Sequence, residues 1–427
     1  MRSTIPQITP HLRVGWPWPD ALGAMRYPAF RWFFVGQIIS LLGSWMQTTA
    51  LQWLTYRLTG SVLSLGVITF ANFVPVLVLS LFMGVLVDRH PRRRLLVMTQ
   101  STFLALAAML AYLTYTGRIT YGGLLALSLL TGVANSLDMP ARQAFFSDLV
   151  DRHDLLNAIA LNSSVFNGTR ILGPALGGIV VAARGEATAF LLNALSFLAV
   201  LLALAAMRLP PIRLRASPAG GLGELRQGIA YLVRDRAVLG LVSMIAVFSL
   251  VGFPASVLLP ALADDLGLGV TGYGGLMAAM GVGALVAGIA LAVRGRRQPQ
   301  PRQLLAQRLA FAGAAAMLGL TGDARLILAG LVVMGYALIA QLTVTNTLIQ
   351  WLAPDSLRGR VVSTYTWALG GFWPLGALLV GAIGQRLGVS QTFVLSAVAC
   401  FLATLIGWRL FPVPVLVESL EPAPTGP

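Results

Sequence analysis

"GVLVDRHPRRRLL", residues 84–96, gathers four arginines, one aspartate and one histidine into seven positions between two long apolar runs. The chain around it has 427 residues, 57% of them hydrophobic and only 11% charged, and its mean hydropathy is +0.79. Soluble domains carry about 25% charged residues. The composition therefore excludes an ordinary soluble protein and calls for apolar spans of about 20 residues. Between two such spans, a knot of charge reads as a short loop at a membrane surface.

Outward from that loop, twelve spanning helices are expected at approximately 31–56, 62–87, 95–116, 121–142, 157–183, 187–207, 238–261, 271–293, 303–320, 324–350, 361–385 and 390–411. The fold class is thus all-α and membrane-embedded. All 30 basic residues are arginine, and loops retained in the cytoplasm keep positive charge. With the N-terminus inside, 24 arginines fall in inner segments and five (Arg57, Arg118, Arg184, Arg325 and Arg386) in outer loops, while Arg170 lies within a helix. Both termini are expected in the cytoplasm. Topology accounts for most of the +15 net charge, and the spread of arginines over many loops removes the case for nucleic-acid binding.

The lone Cys400 excludes an intramolecular disulfide framework. His11, His90 and His153 fall in cytoplasmic segments without metal-ligand spacing, which argues against a metal site and a membrane enzyme. The first 28 residues hold five prolines and no apolar core, so no cleavable signal is expected.

The chain divides as 1–209, 210–236 and 237–427, six helices on each side of a linker. The linker holds Pro210, Pro211, Pro218, Gly220, Gly221 and Gly223, then "LGELRQGIAYLVRD", a basic amphipathic helix for the membrane surface. The halves read as diverged copies. Pro174 in "LGPALGGIVVA" corresponds to Pro374 in "WPLGALLVGAI", 200 positions on, and Gly84 with its arginines to Gly288 with "RGRR", 204 positions on. Parallel six-helix repeats of this kind build major facilitator transporters.

The opening stretch resembles the signature of that superfamily, G-x-L-x-D-R-x-G-R-R-x-x-L. Gly84, Leu86, Asp88, Arg89, Arg92, Arg93 and Leu96 match in register, with Pro91 in place of the second glycine. The resemblance implies a gate latch. Asp88 would face the N-terminus of the eleventh helix, whose dipole favours an anion, and Gly84 would permit close approach. It adds Asp138, with Arg142 beside it, as a second acid bridging Arg92. Such a latch would hold the outward-facing state together.

The phrases "GQIISLLGSWMQTTALQWLTYRLTGS", "DMPARQAFFSDLV" and "LRGRVVSTYTWALGGFWPLGALLVG" are similar to the branch containing bacterial enterobactin exporters, also described as transmembrane secretion effectors. This implies a monomeric exporter in the bacterial inner membrane, taking a siderophore-like or drug-like molecule and driven by the proton gradient, with no cofactor. A small-metabolite importer and a non-transporting membrane sensor or scaffold are the other readings. The partners expected are a small-molecule substrate and the bilayer.

Gly173, Pro174, Gly177 and Gly178 match the G-P-x-x-G-G element of antiporters, with Thr169 where a fuller motif has glycine. Proline frees a carbonyl and glycine allows close contact, which together suit a bend that seals the pathway; an ordinary small-residue packing face is the alternative. Arg170 lies deep in the membrane, where an isolated charge is costly. It either attracts an anionic substrate or tethers to carbonyls or an acid. No aspartate or glutamate lies at the centre of a helix, leaving Asp88 and Asp138 as coupling candidates. Gln37, Ser44, Gln47, Thr48, Asn72, Asn135, Gln341 and Asn346 are uncharged polar groups that either bond between helices or line a central cavity, with Tyr336 and Trp367 as aromatic cavity candidates.

Overall fold

The computed structural model describes residues 20–151, 153–207, 230–294, 300–354 and 357–411, and no strand occurs among them. The first half contains α1 (Pro28–Thr59), α2 (Val62–Arg89), α3 (Arg92–Tyr115), α4 (Tyr121–Leu149), α5 (Leu155–Arg184) and α6 (Glu186–Ala206). The second contains α7 (Arg236–Asp265), α8 (Gly269–Arg294), α9 (Pro301–Leu320), α10 (Ala324–Leu352), α11 (Arg358–Leu387) and α12 (Val389–Leu410). Eleven of these are long and apolar enough to cross a membrane. The remaining one, α1, is the longest at 32 residues, but Arg31, Gln37, Gln47, Gln52 and Arg57 dilute its hydropathy. Residues 208–229 lie outside the described residues, and with them most of the expected linker helix; 230–234 are helical.

Short polar turns set the boundaries. Ser61 caps α2 by accepting from the Ser64 amide at 3.3 Å, Thr120 caps α4 through the Gly123 amide at 3.2 Å, and Asp235 caps α7 through the Ala237 and Val238 amides at 2.9 and 3.1 Å. Each supplies an acceptor to amides that a helix start leaves unpaired. Ahead of α1, a 3-10 segment (Asp20–Arg26) leads to Tyr27, whose hydroxyl donates to Asp154 at 2.9 Å and Asp151 at 3.0 Å. Burial, with those two carboxylates, pushes the Tyr27 phenol far above its ordinary range.

The interruption of α7 departs from the uniform helix expected there. An α-helical segment (Arg236–Val247) passes through a π turn (Phe248–Gly252) and a 3-10 turn (Phe253–Leu258) into a final α-helical segment (Leu259–Asp265). Pro254 has no amide to offer, so the ladder must shift around it. The freed Ser249 and Leu250 carbonyls lie against Gly376 of α11, where a side chain would collide with them.

Within the first half, α1 packs on α5 and α6, α2 on α4, and α3 on α4 and α6; within the second, α8 packs on α10, and α9 on α10 and α12. Two crossings join the halves, α5 with α8 and α2 with α11. Each is a glycine-on-glycine contact. A Cβ built on Gly178 would lie 3.1 Å from the Gly274 Cα, and one on Gly381 would lie 3.3 Å from the Gly66 Cα. These pairs lie toward the end carrying the α1–α2 turn, termed here the far end; the near end carries the start of α1 and the α2–α3 turn. Trp53 stacks on Tyr273 across the same far-end seam, and Ser61 donates to Gln385 at 2.8 Å. Contact continues to Ile171 against Gly281 and Leu77 against Gly371, about 20 Å below the far end at 1.5 Å per residue. Beyond that depth Gly84, Gly168, Gly288 and Gly370 all face open space.

Candidate functional site

At the near end the charged loop is a two-residue break. α2 stops at Arg89, and Pro91 takes the cap position of α3 with its φ at −59°, its carbonyl accepting from the Arg94 and Leu95 amides. Proline thus serves as a rigid start for α3 where the superfamily pattern has glycine. Arg92 reaches back to the end of α4, donating to Asp148 at 2.5 Å and to the Ala144 carbonyl at 3.0 Å. The expected bridge from Arg92 to Asp138 is therefore replaced by one to Asp148, because Asp138 lies almost three helical turns deeper on α4. Asp88 is half-buried and has no hydrogen bond or ion pair among the described residues, and Arg89 is exposed. Among the described residues, neither Asp88 nor Arg89 bonds to α11.

Asp138 is instead the centre of a buried cluster. At 2% exposure it accepts from Thr99 Oγ1 at 2.7 Å and Gln100 Nε2 at 2.8 Å, both on α3, and its other oxygen pairs with Arg142 one turn along α4. Arg142 also donates to Gln37 Oε1 on α1. Three helices are joined by one charge pair, and Gln37, expected in the cavity, is 2% exposed inside the bundle. Thr99, Gln100 and Asp148 carried no motif that would single them out.

Small-residue geometry governs α5. A Cβ on Gly173 would strike Trp45 of α1, one on Gly177 would meet Met46 and Thr49, and one on Gly178 would approach α8. The G-P-x-x-G-G element therefore packs α5 against its own half and against the other half at once. Arg170, one turn earlier, has its guanidinium 5.9 Å from the centre of the Trp45 ring, within range for a cation–π contact. Phe166 meets the same indole edge-on at 6.0 Å. Arg170 has no hydrogen bond or ion pair among the described residues, so neither a carbonyl nor an acid tethers it there.

The remaining cavity candidates separate by placement. Gln47 accepts from Asn193 of α6 at 2.7 Å, and Asn72 donates to the Ser128 carbonyl of α4 at 3.4 Å, so both join helices within the first half. Gln341 is fully buried in α10 and both of its amide atoms lack partners. Of these three, Gln341 is covered by bundle packing, while Gln47 and Asn72 are half-buried. Ser44 and Thr48 bond back to their own helix, with Thr48 exposed. Asn135 and Tyr336 are half-buried, Asn346 accepts from Gln350 at 3.0 Å, and Trp367 is 43% exposed. Among the described residues no cluster of three His, Cys, Asp or Glu side chains is placed to hold a metal ion.

Over 401 residues, covering 90% of this chain and 94% of the relative, the chain is 27% identical to the "Multidrug efflux pump Tap" of Mycobacterium tuberculosis. It is 32% identical to the "Staphyloferrin A transporter" of Staphylococcus aureus over 176 residues, 41% of this chain and 44% of that relative. Its fold matches a bacterial homologue of the human lysosomal transporter Spinster with a TM-score of 0.70 at 14% identity, covering 90% of this chain and 98% of that one. A family profile described as transmembrane secretion effector matches residues 20–425. The chain is a multi-pass membrane transporter of the major facilitator superfamily and belongs to its transmembrane secretion effector family.

Proposed function

We propose that this protein exports small amphipathic molecules, siderophore-like or drug-like, across the bacterial inner membrane by alternating access, as a monomeric proton antiporter with cytoplasmic termini. One observation carries the reading. Glycine contacts between the halves run from the far end to mid-depth, and Arg170 stands at the deepest of them on α5, its carbonyl lying with Ile171 against Gly281, while Gly84, Gly168, Gly288 and Gly370 beyond that depth face open space. An unpaired guanidinium beside an indole thus sits where the closed seam gives way to open space. That pair offers charge to a carboxylate or catecholate and a flat face to an aromatic ring. The arginine distribution supports placing the near end in the cytoplasm, which makes this conformation inward-open. The efflux and siderophore relatives support export.

The test is flux in proteoliposomes under an imposed pH gradient, with a panel of anionic siderophores and cationic drugs. Arg170→Gln is expected to slow anionic cargo by about tenfold, the scale of one lost charge-assisted contact, and to leave cationic cargo near the wild-type rate. Equal loss for both would reduce Arg170 to a packing residue. Absence of gradient-dependent flux for the whole panel would remove the export reading.

The unmade latch yields a second expectation. Asp88→Asn removes the charge that would engage the α11 N-terminus in the outward-open state, so that state should be less populated while protein level is unchanged. Labelling of single cysteines from each side of the membrane measures the shift. Unchanged labelling would sink the latch.

A further inference from the structure

We propose that the cleft between α7, α9 and α12 holds the phosphate of an anionic phospholipid on Arg308. The residue lies in the second turn of α9, is 7% exposed, and has Nε and Nη2 buried without a hydrogen-bond partner. Among the described residues no carboxylate is within ion-pair distance of it. Arg308 lines a cleft whose other walls include Leu241 and Met244 of α7, Leu304 of α9, and Thr404 and Trp408 of α12. Thr404 donates its own proton to the Cys400 carbonyl, and no described residue lining the cleft carries a negative charge. An uncompensated buried cation is costly, and a polar group in the membrane ordinarily marks a ligand or a partner.

The identity of the ligand follows from the shape and position of the cleft. The cleft measures about 350 Å³ with its open mouth included, and only residues of the second half line it, which sets it apart from the pathway between the halves that a transported molecule would use. Water would fill the space and meet the N–H groups but leave the charge unanswered. A phosphate oxygen answers both. Pro301, at the start of α9, lines the same cleft, which therefore runs along α9 from its start to the position of Arg308, about 10 Å further along the helix. Trp408, 42% exposed on the rim, is the residue type that settles at headgroup depth, and the apolar walls suit an acyl chain beside the phosphate. The positive end of the α9 dipole adds to the same field. Arg302 and Arg409, each next in sequence to a lining residue, are exposed at this end of the bundle.

The full chain, purified in detergent, is to be mixed with phosphatidylglycerol, phosphatidylcholine or inorganic phosphate, with retained lipid read by native mass spectrometry and stability by thermal unfolding. Wild type should retain phosphatidylglycerol in preference to phosphatidylcholine and unfold at a higher temperature with it. Arg308→Gln should weaken that retention by about tenfold, and Arg308→Lys should restore part of it. Met244→Trp, which fills the cleft and leaves the charge, should abolish retention and serves if Arg308→Gln does not fold. Equal retention of the two lipids, an undiminished preference in Arg308→Gln or Met244→Trp, or the same stabilisation by inorganic phosphate alone would overturn the proposal.

Discussion

Asp138→Asn is expected to lower stability by about 3 to 5 kcal/mol, the range for removing one partner of a buried pair. Asparagine keeps an oxygen for Thr99 and Gln100 but loses the charge that faces Arg142, whose side chain is only 20% exposed. The guanidinium then remains buried with Gln37 as its sole acceptor among the described residues. Since Gln37, Thr99 with Gln100, and Asp138 come from α1, α3 and α4, the loss should appear as cooperative unfolding of the first half at lower temperature. Thermal unfolding in detergent measures it. Asp138→Asn combined with Arg142→Gln should regain a large part of the loss, because no charge is then left unpaired. A wild-type unfolding temperature in the single variant would show that the cluster does not hold these helices together.

That cluster also marks where sequence reasoning stops. The spans were readable because a bilayer demands about 20 apolar residues per crossing. Pro174 and Pro374 each lie inside a helix, α5 and α11. Which polar side chain faces a cavity was not readable. Gln37 and Gln341 have the composition of cavity residues yet are buried in their own bundles, while Gln47 and Asn72 are half-buried and bond to a neighbouring helix, and helical phase alone does not distinguish those faces when both are wet or hydrogen-bonded. Arg308 falls within the expected span 303–320, and its lack of a partner required three helices to be placed around it. Likewise Asp148 pairs with Arg92 through the geometry of the α4 terminus, for which no local spacing exists. The α7 interruption had a signal in Pro254 and Pro260, but its form depended on Gly376 of α11 accepting the displaced carbonyls.

The largest effect on transport is expected from Gly178→Leu. A Cβ at this position would lie 2.9 Å from the Val270 carbonyl and 3.1 Å from the Gly274 Cα, and both obstacles are backbone. Neither can swing aside, so α5 and α8 must separate. Overpacking of this kind costs about 1 to 3 kcal/mol, and here the cost falls on the far-end-closed state, because the contact is between halves. At 1.4 kcal/mol per factor of ten, that state should become about tenfold less populated or more, and a cycle that must pass through it should slow by a similar factor. Gly381→Leu should act alike at the α2–α11 crossing, where the Val62 carbonyl is 3.1 Å from a built Cβ. Gly168→Ala, on the same helix but facing open space, is the control and should leave flux unchanged. The structural readout uses Val270→Cys in a Cys400→Ser background, since the native cysteine is buried. Gly178→Leu should raise its labelling from the far side of the membrane. If flux falls without greater labelling, the glycine packs α5 against its own half and does not seal the seam. If both stay at the wild-type level, the far-end crossing is not part of the transport cycle.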